Sequence, residues 1–352
     1  MLLHKLWRVG RVVRQGSAKP CTPVQIRYAP PGRVVELVYT TDLKSVAPRA
    51  CGFKSRPAHQ YKKAFLKVFF VIITLNMTKI IDGREIANLI LESIAKRTAK
   101  YQLKPKLVII TYQADKRSKL YVGLKQKKAS QVGISCELLD WSGISLAECK
   151  SNMTQLAFDN SVSGIIMQLP LNGLKNQQSL LDLIPLSKDV DGLSSQSLES
   201  LKNNTQSLIP ATPKAILAII SSENISLENK NILIIGQGKL VGLPLGIILK
   251  NRKLKVFTAD LASVSLEALT AQADIIVTAT GSPGLLAGNM LKAGVIVLDA
   301  GASESGDIIA GDVEYSSVEP KVALISKVPG GIGPVTVACL LENVLQAAKI
   351  PR

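Results

Sequence analysis

Five short, almost uninterrupted apolar runs recur along the chain: KLVIIT from Lys106, GIIMQL from Gly164, NILIIG from Asn231, DIIVTA from Asp274 and GVIVLD from Gly294. None shows the apolar/polar alternation of a strand with one wet face. Runs of this kind read as strands buried on both faces, the mark of a parallel sheet covered by helices. Helical stretches separate them; the first carries Ile86, Leu89, Ile90 and Ile94 on one expected stripe. The fold class is therefore α/β. A chain of 352 residues accommodates about two domains, and the Pro/Ser/Asn-rich stretch 194–213 looks like their junction. We place a first domain at 77–207, a second at 208–332, and a last helix over about 333–348 that returns to the first domain, so that 333–352 completes it.

Charge is unevenly spread. The chain has 43 Lys and Arg against 26 Asp and Glu, a net +17, yet residues 1–76 hold 14 of the cations and only 2 of the acids. That stretch has scattered prolines and no sustained period, and we expect it to be irregular, a disordered or non-native extension. One reading makes it a basic arm for nucleic acid or an anionic membrane. The other, which we adopt, is a mis-assigned start: VVELVYTTDLKSVAPRACGFKSRP resembles the conceptual translation of a transfer-RNA gene, and Met77 is then the natural beginning. Nucleic acid is accordingly not expected as a partner. Both histidines, His4 and His59, fall in the same stretch, so the remaining chain has no imidazole for a triad or a zinc site. The five cysteines have no metal-ligand spacing, and their odd number argues against a disulfide framework, which suggests a reducing cytoplasm and no metal. The apolar run 68–75 is far shorter than the roughly 20 residues of a membrane helix, so no membrane partner is expected.

Four segments carry candidate chemistry. Gly236-Gln237-Gly238-Lys-Leu-Val-Gly242-Leu-Pro244 follows an apolar strand and opens a helix. Such a turn lets backbone N–H groups meet a pyrophosphate where side chains would block the approach. It equally serves as a tight connection needing positive φ. Asp260 follows Gly236 by 24 residues, near the ~20 expected of an acid that reads a ribose, although it also suits a solvated loop. Tyr121 and Lys125 stand four apart on an expected helix, so phenol and ammonium share one face. Further along come Gln168-Leu-Pro170-Leu at a strand end, Lys188-Asp189-Val190-Asp191-Gly192 in a loop, and Pro329-Gly330-Gly331-Ile-Gly-Pro-Val-Thr-Val-Ala before the last helix. Two carboxylates in five residues suit a heterocycle rich in hydrogen-bond donors. The Pro/Gly run suits a backbone passing close to a flat ligand. Each is also ordinary turn chemistry.

Taken in order, Y-x-x-x-K, QLPL, KDVDG, the glycine turn and PGGIGPVTVA resemble the bifunctional methylenetetrahydrofolate dehydrogenase/methenyltetrahydrofolate cyclohydrolase family over residues 78–347. The opening KIIDG from Lys79 and ADIIVTATGSPG from Ala273 resemble it too. The resemblance implies two α/β domains, the second Rossmann-like, with a cleft between them. It implies oxidation of 5,10-methylenetetrahydrofolate with NAD(P)+ and hydrolysis of the methenyl product to 10-formyltetrahydrofolate, with a one-activity dehydrogenase as the alternative. By position, Lys125 resembles the family's essential lysine and Gln168 the residue that orients it; the resemblance implies that Tyr121 packs on the folate and Asp191 accepts from the pterin. Pro329, Gly330 and Gly331 let the backbone close over the ligand, and Gly236, Gln237, Gly238, Gly242, Pro244 and Asp260 bind the dinucleotide. A free lysine near pKa 10.4 is a poor base at neutral pH; bringing it to about 7 or 8 costs about 3 to 4 kcal/mol. A homodimer is expected on the same ground.

Two departures bear on the coenzyme. Gln237 and Gly238 replace the Arg and Ser more common in the family's turn, and Asp260 stands near where many members place His-Ser. A 2′-phosphate usually wants an Arg nearby, so the chain leans slightly toward NAD over NADP unless Lys239 or Arg252 compensates. Short-chain dehydrogenases also use Tyr-x-x-x-Lys, but their glycine turn precedes that pair, whereas Gly236 follows Lys125.

Overall fold

A computed structural model describes residues 78–349, apart from 207, 261–264 and 306–307. The expectations for residues 1–76 and for a start at Met77 lie outside the described residues.

In chain order the elements are β1 (Lys79–Ile81), α1 (Gly83–Lys100), β2 (Lys106–Thr111), α2 (Lys116–Gln131), β3 (Ser135–Asp140), α3 (Leu146–Phe158), β4 (Gly164–Met167), α4 (Gln177–Leu181), α5 (Ser195–Lys202) and α6 (Ala211–Ser222). They continue as β5 (Ile232–Ile235), α7 (Gly242–Asn251), β6 (Val256–Ala259), α8 (Leu266–Gln272), β7 (Ile275–Thr278), β8 (Ile296–Asp299), β9 (Ser303–Ser305), β10 (Ile308–Ala310), α9 (Tyr315–Val318), β11 (Leu324–Ser326) and α10 (Ile332–Ala347). All five apolar runs form strands. They join two parallel sheets, one of order β3-β2-β4 and one of order β1-β11-β8-β7-β5-β6, while β9 and β10 make a small antiparallel hairpin. The fold is two-domain α/β with a Rossmann-like second sheet. Among the described residues, no helix is long and apolar enough to cross a membrane.

Two features differ from the sequence reading. Lys79–Ile81, grouped by sequence with the first domain, forms the edge strand of the second sheet, paired with β11. Leu89 is 62% exposed; the buried stripe of α1 runs through Ile86, Ala87, Leu91 and Ile94, because the helix turns two adjacent positions inward at each step. The stretch 194–213 holds α5, capped by the Ser194 side chain accepting from the Ser197 N–H.

The last helix packs against α1 and α6. Val335, Ala338, Leu341 and Leu345 of α10 share one core with Ile86 and Ile94 of α1 and Ile216 and Ile219 of α6. Its charged edge adds Glu342, which takes Lys214 at 2.8 Å and Arg97 at 3.2 Å.

At the carboxyl ends of β7 and β8 two buried acids organise the loops. Asp312 accepts from the N–H groups of Thr280 and Ser282, and Asp299 accepts from those of Gly301, Asp312 and Val313 and from the Thr278 hydroxyl. Burial pushes the Asp299 carboxyl up to about 6, against its backbone donors and with help from the Asp312 charge. An acid that titrates near 4 when unfolded and near 6 when folded contributes about 3 kcal/mol that is present below pH 4 and lost as pH rises to 6. The stability gap between wild type and Asp299→Asn should therefore narrow by about that amount between pH 4 and pH 7 in urea unfolding. A constant or widening gap would mean that Asp299 stays ionised throughout.

Candidate active site

Helix α2 starts at Asp115, whose carboxylate accepts the Ser118 N–H at 2.6 Å, and ends at Val132. It places Tyr121 and Lys125 one turn apart, both half-buried. The Lys125 ammonium donates to Gln168 Oε1 at 2.8 Å, and Gln168 Nε2 donates to the Leu169 carbonyl at 2.9 Å. Gln168 thus has its donor occupied by the backbone, which leaves its oxygen facing Lys125. The strand β4 delivers Gln168, its N–H bonded to the Ile110 carbonyl of β2.

The KDVDG loop runs alongside β4, with the Ile165 N–H donating to the Lys188 carbonyl at 2.9 Å. Its first two charges serve structure. Lys188 is buried and donates to the carbonyls of Leu156, Ala157 and Asp159, closing the end of α3. Asp189, 2% exposed, accepts from the N–H groups of Gly192, Leu193 and Ser194 and from the Ser197 hydroxyl. Of the two carboxylates read as ligand-facing, only Asp191 remains. Among the described residues no hydrogen-bond donor reaches it, and its charge is felt by Lys125.

Electrostatics around Lys125 follow from burial. Desolvation pulls its ammonium below the ordinary lysine range, while the Asp191 and Cys136 side chains oppose the fall. Desolvation raises the Asp191 carboxyl, with Lys125 opposing and Asp189 adding to the rise. Cys136, on β3, is a neighbour that sequence reasoning missed; burial pushes its thiol up to about 11, so it stays protonated. No spacing rule marks it, because β3 and α2 meet only in three dimensions.

The Pro-Gly-Gly segment lies against the start of α1. Gly330 has φ +105° and its carbonyl accepts the Gly83 N–H at 3.0 Å; a Cβ on Gly83 would lie 1.7 Å from the Gly331 carbonyl oxygen. Gly330 and Gly331 are buried against the start of α1, so the close backbone approach that requires glycine is to Gly83. Pro329 alone of the three is exposed.

In the second sheet the glycine turn leaves β5 and enters α7 beside β7, where the strand order reverses, the usual ligand crevice of such sheets. Gly236 has φ +96°, and a Cβ there would lie 2.4 Å from the Ala279 carbonyl oxygen. No side chain caps α7, and Pro244 sits in its first turn. Gln237 and Gly238 are exposed at the crest, and a Cβ on Gly238 would meet nothing within 4 Å. Asp260 is exposed directly after β6. Lys239 donates to Gln178 of α4 at 2.9 Å, linking the turn to the first domain.

A lysine hydrogen-bonded to Gln168 and feeling the Asp191 charge in the first domain, with a Rossmann-type glycine turn in the second, marks a two-domain α/β enzyme. The model of the tetrahydrofolate dehydrogenase/cyclohydrolase catalytic domain matches residues 81–191, and that of the NAD(P)-binding domain of the same family matches residues 210–352. The chain is 37% identical over 280 residues to the bifunctional protein FolD of Rickettsia rickettsii, covering 78% of this chain and 97% of that protein. It is 35% identical over 273 residues to the FolD of Hydrogenobaculum, covering 77% and 98%. The crystal structure of the bifunctional enzyme FolD from Campylobacter jejuni superposes with a TM-score of 0.74 at 32% identity, covering 77% of this chain and 99% of that one. The protein belongs to the tetrahydrofolate dehydrogenase/cyclohydrolase family.

Proposed function

We propose that this protein oxidises 5,10-methylenetetrahydrofolate with NAD(P)+ and hydrolyses the methenyl product to 10-formyltetrahydrofolate in the same cleft. The observation that carries this reading is the 2.8 Å Lys125–Gln168 hydrogen bond, with the Asp191 charge acting on the same ammonium. Asp191 accepts hydrogen bonds from the pterin's amino and ring N–H groups and fixes the folate's orientation. The Tyr121 ring packs on the folate, with Pro329 on the rim held in place by Gly330 and Gly331. Gln168 holds the Lys125 amine by its oxygen. Lys125, its ammonium destabilised by desolvation, then takes the proton from the water that attacks the cationic methenyl carbon.

The second domain suits a dinucleotide. Gly238 leaves open space at the crest of the turn, Gly236 and Gly242 let the chain fold tightly there, and the uncapped start of α7 offers N–H groups to a pyrophosphate. Gln237 and Pro244 shape the same turn, and Asp260 at the end of β6 takes the ribose hydroxyls, which favours NAD slightly over NADP. When bound, the dinucleotide supplies the hydride acceptor for the dehydrogenase step. We further infer division of labour at about residue 208, a homodimer and a cytoplasmic location.

The deciding assay gives the purified chain methylenetetrahydrofolate with NAD+ or NADP+ and follows absorbance of the reduced coenzyme and of the methenyl product. Both signals should rise and the second should then decay; a methenyl signal that decays only at the uncatalysed hydrolysis rate would reduce the protein to a dehydrogenase. Asp191→Ala should raise the folate KM about 10-fold or more in both reactions, as expected when a site's buried donors and acceptors lose their partner. An unchanged folate KM would remove Asp191 from the site.

A further inference from the structure

Asn343 lies in the middle of α10, in the run LLENVL, with 0% of its surface exposed. Its amide is fully used. Nδ2 donates to the carbonyls of Val190 at 2.9 Å and Ile209 at 2.7 Å, and Oδ1 accepts from the Lys214 ammonium at 2.9 Å. A single buried amide thus joins three chain segments far apart in sequence.

What those segments flank is Asp191. Val190 immediately precedes it, and its side chain is packed into the space where a Cβ on Gly164 would otherwise stand, 2.7 Å away. Ile209 precedes Pro210, whose ring would lie 2.5 Å from a Cβ on Gly192, the residue after Asp191. Asp189 fixes the far side through the N–H groups of Gly192, Leu193 and Ser194. The backbone is held on every side of Asp191, and only its carboxylate is left without a protein donor among the described residues. The carbonyl that Asn343 holds belongs to the 190–191 peptide, and rotation of that peptide plane would swing the Asp191 Cα–Cβ bond directly.

We propose that Asn343 is a positioning residue for folate binding: its amide locks the Val190 and Ile209 carbonyls so that the Asp191 carboxylate points into the cleft. The inference rests on the reading of Asp191 as the pterin acceptor, and goes beyond it by assigning the C-terminal helix a part in substrate recognition. A purely structural Asn343 would hold the helices together without favouring one substrate over the other.

The test separates these two roles in the full chain. Asn343→Asp keeps the shape and the oxygen that meets Lys214 but replaces the donor with an acceptor facing two carbonyls. The folate KM is expected to rise about 10-fold or more in both reactions, with the dinucleotide KM within about 2-fold of wild type. Lys214→Met removes a partner of the same amide yet leaves both carbonyl bonds, so its folate KM should stay within about 3-fold even where thermal stability falls comparably. Should the Asp variant fail to fold, Asn343→Ser, too short to hold both carbonyls, is expected to give the same split. A folded variant with a wild-type folate KM, or one in which both KM values rise together, overturns the proposal. Asp191→Ala measured alongside tells the two readings apart: if it leaves the folate KM unchanged, the reading of the site fails; if it raises KM while the Asn343 variants do not, the positioning role fails alone.

Discussion

Replacing Lys125 with methionine is expected to cut methenyltetrahydrofolate hydrolysis by about two to four orders of magnitude, the usual worth of a placed general base. Methionine matches the lysine stem in length and leaves no charge in a dry setting, so the variant should fold. The sign of the stability change follows from the lowered lysine pKa. A group that the fold prefers neutral subtracts stability while it is protonated in the unfolded chain, and that penalty grows as pH falls from the ordinary lysine value toward the folded-state one, below which it is constant. Lys125→Met should therefore be at least as stable as wild type near neutrality, with an advantage at pH 6 no smaller than that at pH 9. Thermal unfolding at pH 6 and pH 9 together with the hydrolysis rate gives both readings. A folded Met variant that still hydrolyses the methenyl substrate at the wild-type rate would remove Lys125 from the chemistry. The same lowered pKa implies that hydrolysis by the native enzyme gains speed with pH until the amine is free.

Much of this arrangement could be read from residue order alone, and the failures have physical causes. The strands β2, β4, β5, β7 and β8 announce themselves because both faces are buried, so their middle positions are apolar without alternation. β3 escaped because it is an edge strand with mixed exposure, and β1 and β11 because three residues set no period. Lys125, Gln168 and Asp191 were legible as motif members. That Asp189 and Lys188 are spent on backbone groups was not, since a buried capping carboxylate and a ligand-binding one look identical in a string. Asn343 left no signal either: an asparagine within an apolar helix marks a buried partner without saying which carbonyl it meets. Gly330 and Gly331 show the same limit, because a glycine requirement does not tell whether a ligand or the protein's own Gly83 stands opposite.

The glycine turn allows that ambiguity to be resolved by experiment. Gly242→Ala would put a Cβ 1.7 Å from the Gly236 carbonyl oxygen, a backbone atom that cannot swing aside. Either the turn opens or α7 shifts off β5, where Leu245 and Leu249 are buried in the core, and a loss of about 4 kcal/mol or more is expected, in the range reserved for severe steric defects. Gly238→Ala should behave in the opposite way. No protein atom lies within 4 Å of its added methyl, and its backbone is outside the positive-φ region, so stability should change by about 0.5 kcal/mol or less. If the pyrophosphate sits against this crest, that methyl occupies the ligand's place, and the dinucleotide Kd should rise about 10-fold or more while folate binding is unaffected. Urea unfolding and a dinucleotide titration on both variants would separate the two glycines. A Gly238→Ala enzyme that binds the dinucleotide as tightly as wild type would move the coenzyme off this turn and leave its glycines as folding devices only.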